Sequence, residues 1–246
     1  MSTDIKPEGP GGDRLVEEEP PRAGPAIILR KAALYLARAV LFLFFAPAFA
    51  ILVYAVVPPP ATPLMLIRFA EGHGLSKDWM PLSRISPHLQ RAVIAAEDGK
   101  FCAHHGFDWE AVDTALERLR RGGSLHGAST ISMQTSKNLF LWPDRTLIRK
   151  GAEAYITVWL EALLSKKRIL ELYLNVIEFG PGLYGAEAAA RHYYGVSARD
   201  LSQRQAAELA SVLPSPLRWR PGSTGRASTI AARMNHVILG ENGPCK

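Results

Sequence analysis

One uncharged apolar run near the N-terminus constrains the topology of this chain more than any other feature. From Ala39 to Val57 the sequence reads AVLFLFFAPAFAILVYAVV, nineteen residues without a charged side chain. A helix of about 20 apolar residues crosses a bilayer core about 30 Å thick, so the length fits a membrane span. Pro47 lies inside the run, and membrane helices tolerate proline better than soluble ones. We therefore predict one transmembrane helix over 33–57.

The flanks of this run predict its orientation. Arg30, Lys31 and Arg38 precede it, whereas residues 57–67 contain no basic side chain. The positive-inside rule therefore places the N-terminus in the cytoplasm and the body of the chain outside. A cleaved signal peptide is the main alternative, but the three prolines at 58–60 are a poor match to a small-residue cleavage site. A buried core helix is the other alternative.

The remaining segments differ in composition. Residues 1–29 are rich in Pro, Gly and Glu, which predicts a disordered cytoplasmic tail. We assign 58–80 to a linker and 81–246 to a folded domain, and we expect the membrane span to lie outside that domain's core. The net charge of +6 lies entirely beyond residue 57, where 23 basic residues oppose 17 acidic ones. A basic domain tethered at a membrane suits anionic, lipid-borne ligands.

Helical periodicity dominates the predicted domain. Ser86 and Asp108 are candidate caps of helices that start at Pro87 and Trp109. Further helices are predicted over 145–164, 169–177, 186–194 and 198–212. No alternating run is long enough for a convincing sheet. The predicted fold class is therefore mainly α.

The two cysteines are too few for a disulfide-rich scaffold. The sequence contains neither a C-x-x-C nor an H-E-x-x-H pattern, which argues against a structural zinc site and against a zincin-type protease. Cys102 and Cys245 could pair in an oxidising compartment, but the sequence does not show their separation in space. We expect both to be free thiols.

Glu97 and Asp98 end an apolar helical stretch. A carboxylate held against Ala and Phe side chains has its charged form disfavoured, so its pKa rises toward the range of a general acid or base. The plain alternative is a solvated acidic pair at a helix C-terminus. His104 and His105 follow, but adjacent histidines point to different sides of a helix or strand, which favours a structural role over a metal site.

Two further segments concentrate polar and basic side chains. Residues 127–138 carry hydroxyl, amide and ammonium groups that suit phosphate oxygens or sugar hydroxyls, although an ordinary Ser/Thr-rich loop with a helix cap has the same composition. Arg149, Lys150 and Glu153 share one helix face through their i,i+3 and i,i+4 spacing. They form either a surface ion pair worth about 0.3–0.5 kcal/mol or a cationic, phosphate-binding clamp.

These segments resemble, in order and spacing, the peptidoglycan glycosyltransferase family, also called family 51 glycosyltransferases. The matching stretches are AAEDGKFCAHHGFD (95–108), GASTISMQTSKNLFLW (127–142), RKGAEAY (149–155), KKRILELYLNVIEFGPGLYGAEAAARHYYG (166–195) and AAELASVLPSPLRWRP (206–221). The chain is most similar to the monofunctional biosynthetic members. One departure is Met133, where the family usually has the first of two glutamines. The resemblance implies a lysozyme-like glycosyltransferase domain at 81–246 behind a single N-terminal transmembrane helix.

The resemblance implies a peptidoglycan polymerase that elongates glycan strands. Such an enzyme transfers the growing, lipid-diphosphate-linked chain onto the 4-hydroxyl of lipid II, forming a β-1,4 bond with inversion and releasing undecaprenyl diphosphate. Glu97 matches the catalytic glutamate that deprotonates this hydroxyl, and Glu153 matches the second glutamate, which assists at the diphosphate. The other matching site residues are the basic Lys137, Arg149 and Lys150 near the diphosphate and the polar Ser129, Gln134 and Asn138 of the donor site.

The resemblance also implies a single-pass protein of the bacterial inner (plasma) membrane with a cytoplasmic N-terminus and a periplasmic catalytic domain. The expected partners are lipid II, the growing glycan chain, the membrane and other cell-wall synthesis proteins, but no nucleic acid. The resemblance does not imply that the enzyme requires a cofactor. It leaves open whether a divalent cation, Mg²⁺ or Mn²⁺, binds near Glu153. A lytic enzyme of related fold and an inactive membrane scaffold are the alternatives, and a bifunctional synthase is disfavoured because no Ser-x-x-Lys motif occurs.

Overall fold

The computed structural model describes residues 25–123, 127–144, 146–241 and 243–245, which form ten α-helices and a small sheet. The helices are α1 (Pro25–Tyr54), α2 (Pro63–Ala70), α3 (Pro87–Glu97), α4 (Trp109–Arg120), α5 (Ile131–Phe140), α6 (Leu147–Leu163), α7 (Lys166–Val176), α8 (Ala186–Tyr194), α9 (Gln203–Val212) and α10 (Arg226–Met234). The strands are β1 (Ser76–Lys77), β2 (Glu178–Gly180) and β3 (Leu183–Tyr184), and short 3₁₀-helices cover Leu82–Arg84 and Ala198–Asp200. The predicted mainly α fold class is confirmed.

The chain divides into two units, Met1–Phe44 and Phe45–Lys246. The described part of the first unit is helical and belongs to α1. Most of the predicted tail, residues 1–29, lies outside the described residues. The stretch Ile27–Tyr54 is long and apolar enough to cross a membrane. The predicted N-terminal apolar helix is therefore present, but it begins at Pro25 rather than 33 and ends at Tyr54 rather than 57.

Residues 45–54 of α1 belong to the second unit, and Ala48 and Ile51 lie in its core, which corrects the expectation that the span stays outside it. Ile51 is fully buried. The ring centroids of Tyr54 and Phe140 lie 5.8 Å apart, and Nε of Arg168 donates to the carbonyl oxygen of Tyr54 at 2.8 Å. Because a buried apolar side chain needs neighbours on all sides, the end of this helix is part of the domain as well as of the span.

The predicted linker, 58–80, is largely folded, which moves the start of the domain ahead of residue 81. Leu64 and Met65 of α2 are buried. β1 pairs in parallel with β3, with Ser76 opposite Leu183, and β2 pairs antiparallel on the other edge of β3. We did not predict this sheet because strands of two or three residues are too short to show an alternating pattern.

Several predicted helix starts are confirmed by their caps. Ser86 accepts a hydrogen bond from the backbone N–H of His88 at 3.3 Å at the start of α3, and Asp108 accepts from that of Ala111 at 3.1 Å at the start of α4. The segment 198–212, predicted as a single helix, consists of a 3₁₀-helix followed by α9. We did not predict α5 or α10. In α5 the buried hydroxyls are satisfied locally, as where Thr135 donates to the carbonyl of Ile131 at 2.8 Å.

Cys102 and Cys245 form a disulfide, which corrects the expectation of two free thiols. The bond joins residues 143 positions apart and holds the C-terminal segment against the loop that follows α3. Sequence spacing did not show this proximity because the two cysteines meet only through the packing of α10 against α3.

A chain starting at residue 58 should be less stable than one starting at residue 45. Both lack the first unit, but the shorter chain also loses the buried Ile51 and the ring contact of Tyr54. Removing one buried Ile or Leu side chain costs about 2–5 kcal/mol. In a domain of this size we therefore expect a melting temperature in detergent that is lower by about 5 °C or more. Equal melting temperatures would contradict this packing.

Reduction of the disulfide should lower the thermal stability. Loss of a native disulfide typically costs about 2–5 kcal/mol because the unfolded chain is no longer constrained. Cys102→Ser should therefore melt at a lower temperature than the wild-type protein, and reductant should lower the melting temperature of the wild-type protein only. A wild-type melting temperature that reductant leaves unchanged would show that the bond does not hold the fold together.

Candidate active site

Glu97 is the last residue of α3, whose preceding turns are buried in the core. Its Oε2 accepts a hydrogen bond from Nε2 of Gln134 at 2.9 Å. Its Oε1 is buried and has no hydrogen-bond partner among the described residues. Burial raises the pKa of Glu97, although the bond from Gln134 and the positive charges of Arg226 and Lys137 oppose that rise. A carboxylate so placed is poised to take up a proton.

Gln134 is oriented by a buried tyrosine of α7. The hydroxyl of Tyr173 donates to Oε1 of Gln134 at 3.1 Å, which leaves the amide Nε2 directed at Glu97. Tyr173 is fully buried, and burial raises the pKa of its hydroxyl well above the ordinary value, so it remains a donor. The chain Tyr173–Gln134–Glu97 therefore fixes which oxygen of the carboxylate is bonded.

Asp98 joins the end of α3 to the start of α5. Its Oδ2 accepts a hydrogen bond from the backbone N–H of Ile131 at 2.9 Å, and its Oδ1 lies 2.9 Å from Nε2 of His104. His104 thus has the structural role expected from the sequence. Because Asp98 is bonded in this way, it holds α5, and with it Gln134 and Lys137, beside Glu97.

Glu153 is buried on α6 and paired with two cations. Nη1 of Arg149 donates to its Oε2, and Nζ of Lys150 lies 2.6 Å from its Oε1. Arg149 is also buried, whereas the side chain of Lys150 is 41% exposed and also donates to Oγ of Ser129 at 3.1 Å. The predicted shared face is confirmed, and its burial distinguishes it from an ordinary surface ion pair.

Lys137 and Asn138 are the next site residues on α5. Within the described part of the chain, the ammonium of Lys137 has no ion pair and Nδ2 of Asn138 has no hydrogen-bond partner. Burial lowers the pKa of Lys137; the charge of Glu153 opposes that fall, and the neighbouring cations Arg149 and Lys150 add to it. Both side chains are therefore donors available to a ligand.

Two cavities border these groups. The carboxylate cavity, about 360 Å³ in volume, is lined by Ala95, Ala96, Glu97, Asp98, Gly99, Arg233, His236 and Val237. The cationic cavity, about 440 Å³ in volume, has four basic residues in its wall: Arg68, Lys137, Arg149 and Arg218. Gln134 lines the cationic cavity while its amide bonds to Glu97, so one side chain links the two cavities.

The residues around Glu153 do not fit a divalent cation. Mg²⁺ binds to oxygen ligands such as carboxylates, but both oxygens of Glu153 are already paired with Arg149 and Lys150. In the described part of the chain, no group of three or more His, Cys, Asp or Glu residues could hold a metal ion. The surplus of positive charge suits an anion instead.

Sequence reasoning found the residues on α3, α5 and α6 but missed the two that act on Glu97 from elsewhere. Tyr173 lies in the apolar pattern of α7, which is typical of a core residue, and Arg226 lies beyond the last matching motif. The departure at Met133 has a simple explanation, because this side chain is 6% exposed and belongs to the core rather than to a cavity wall.

Comparison with known proteins shows the family to which the chain belongs. The family model described as Transglycosylase matches residues 65–240. A biosynthetic peptidoglycan transglycosylase of Caulobacter vibrioides is 54% identical over 180 residues, covering 73% of this chain and 79% of the relative. A protein of the same name from Rhodospirillum centenum is 51% identical, covering 85% of this chain and 91% of the relative. Another from Pseudomonas putida is 46% identical, covering 82% of this chain and 90% of the relative. The resemblance inferred from the sequence motifs is confirmed, and the chain belongs to the transglycosylase family.

Proposed function

We propose that this chain is a peptidoglycan polymerase that uses lipid II. It transfers the growing, lipid-diphosphate-linked glycan chain onto the 4-hydroxyl of lipid II and releases undecaprenyl diphosphate. One observation carries the proposal: the carboxylate of Glu97, with one buried and unpartnered oxygen, is linked by Gln134 to a cavity whose wall contains four basic residues against two acidic ones. A base beside an anion-binding cavity suits transfer from a diphosphate.

Glu97 is the proposed general base. Its Oε1 accepts the proton of the acceptor 4-hydroxyl while the oxygen of that hydroxyl attacks the anomeric carbon of the donor. The bond from this carbon to the diphosphate oxygen breaks on the opposite face, and its electron pair leaves with the diphosphate. The product is a β-1,4 bond with inverted configuration. Gln134 keeps Oε2 bonded, so the proton goes to the other oxygen.

The basic residues are proposed to stabilise the departing diphosphate. Lys137 has no ion pair among the described residues, and Arg149 and Lys150 are held in place by Glu153. Glu153 thus acts by positioning two cations. Ser129, through Lys150, and Asn138, through its free amide, complete the proposed donor site. Since these cations supply the positive charge, no step is assigned to a metal ion.

The apolar helix α1 is proposed to anchor the enzyme in the bacterial inner membrane, where its lipid-linked substrates reside. Arg30, Lys31 and Arg38 precede the apolar run and support a cytoplasmic N-terminus and a periplasmic catalytic domain. We propose the membrane, lipid II, the growing glycan chain and other cell-wall synthesis proteins as partners.

A lytic enzyme of related fold is the alternative that a direct assay separates. It would cleave finished glycan and would have no use for the basic wall around Lys137 and Arg149. Purified full-length protein in detergent, incubated with lipid II, should produce a ladder of glycan polymers on a gel and should not shorten preformed strands. Shortening of strands without any polymer would favour the lytic enzyme.

Glu97→Gln should abolish polymerisation while binding of lipid II survives. The amide keeps the shape of the side chain but cannot take up a proton, and general-base catalysis is worth about 10²–10⁴ in rate. Polymer formation is followed on the same gel, with the melting temperature as the control for folding. A variant that retains more than about half of the wild-type rate would remove Glu97 from the role of base.

Lys137→Ala and Lys150→Ala should each lower turnover about 30-fold, because a charge-assisted contact that strengthens as the leaving group departs is worth about 2 kcal/mol or more. Arg204→Ala is the matched control, since Arg204 forms an exposed ion pair with Glu208 at i,i+4 spacing on α9. It should leave turnover nearly unchanged. Near-normal turnover in both lysine variants would contradict the proposed clamp, and a large fall in melting temperature would assign these lysines a structural role.

A further inference from the structure

The wall of the carboxylate cavity contains two side chains with N–H donors that the proposed chemistry has not yet used, Arg233 and His236. Arg233 lies in the last turn of α10, and His236 follows just after that helix. Both residues are exposed, and neither side chain has an ion pair or a hydrogen bond within the described part of the chain. An unpaired guanidinium and an unpaired imidazole in the same cavity wall as Glu97 are available to an anionic ligand.

The backbone that carries Arg233 and His236 is held at a fixed place relative to Glu97. α10 packs against both α3 and α9. The segment after α10 is tied by Cys245 to Cys102, which lies in the loop that follows Glu97. The backbone on both sides of the cavity is therefore constrained by packing and by a covalent bond, so the attachment points of Arg233 and His236 are in place before any ligand arrives.

Arg226, at the start of the same helix, adds a second positive charge near the base. Its guanidinium lies 5.7 Å from the ring centroid of Trp219, and its charge lowers the pKa of Glu97, against the larger effect of burial. One face of α10 therefore carries positive charge toward the end of α3. This charge is separate from that of the cationic cavity, whose wall contains no residue of α10.

The anion that enters the carboxylate cavity must belong to one of the two substrates, the donor or the acceptor. In the proposed reaction the diphosphate that departs belongs to the donor, and Lys137, Arg149 and Lys150 already serve it. The acceptor must bring its 4-hydroxyl to Glu97, so the rest of that molecule extends along the carboxylate cavity. The acceptor carries its own diphosphate and the carboxylates of its peptide, and either group would pair with the guanidinium of Arg233 and accept a hydrogen bond from the imidazole of His236.

Resting on the proposed function, we infer that Arg233 and His236 bind an anionic group of the acceptor lipid II and determine the affinity for the acceptor separately from the donor. The two residues hold the acceptor so that its 4-hydroxyl lies at Glu97. They take no part in the departure of the donor's diphosphate.

The test separates acceptor from donor. A labelled donor whose own 4-hydroxyl is blocked can only give up its chain, so the initial rate at which its label is transferred to lipid II reports lipid II as the acceptor, and the concentration of lipid II can be varied. The Arg233→Ala, His236→Ala double variant should raise the KM for the acceptor about tenfold, with kcat and the KM for the donor within about twofold of wild type. Arg199→Ala, which removes an exposed arginine from the 3₁₀-helix at 198–200, is the control and should change neither constant.

Two modified acceptors identify the anion. One has its peptide carboxylates converted to amides, and the other has its diphosphate replaced by a neutral linkage. The tenfold difference between wild type and double variant should disappear with the acceptor that lacks the recognised group. An unchanged acceptor KM in the double variant, or a difference that persists with both modified acceptors, would overturn the inference alone. A wild-type protein that transfers nothing would overturn the proposed function and the inference with it.

Discussion

The carboxyl group of Glu97 ends a helix that is otherwise buried in the core, and this placement constrains the rest of the site. Asp98, the next residue, is used to hold the start of α5. α5 then delivers Gln134 to one oxygen of Glu97, leaving the other without a partner among the described residues. Because burial disfavours its charged form, a carboxylate with so few partners has a raised pKa and an affinity for a proton that a solvated glutamate lacks.

The two glutamates of the site have different roles because their side chains have different partners. Glu97 has one neutral amide as its partner, whereas Glu153 has Arg149 and Lys150 on its two oxygens. The first arrangement suits a group that gains and loses a proton, and the second suits one that orders neighbouring cations. Burying charged groups costs desolvation energy, so we interpret the cluster around Glu153 as kept for ligand binding more than for stability.

The sequence predicted those features that repeat locally or carry a motif, and it failed where distant segments meet. The caps at Ser86 and Asp108 and the shared face of Arg149, Lys150 and Glu153 follow from spacing along one helix. The disulfide, the burial of the end of α1, and the contact of Tyr173 with Gln134 depend on tertiary packing, which periodicity does not encode. The helix α5 was missed because its buried Ser and Thr residues resemble the composition of a loop.

The pH dependence of kcat/KM for polymerisation tests the central claim, that a desolvated Glu97 is the base and a partly buried Lys137 is an essential cation. The rate should rise as Glu97 loses its proton at a pH above about 4.3, the ordinary pKa of a glutamate, and should fall as Lys137 loses its proton below about 10.4, the ordinary pKa of a lysine. Lys137→Arg keeps its charge, so it should move only the alkaline limb to higher pH. An acid limb at the ordinary glutamate value, or an alkaline limb that this variant leaves in place, would contradict the account.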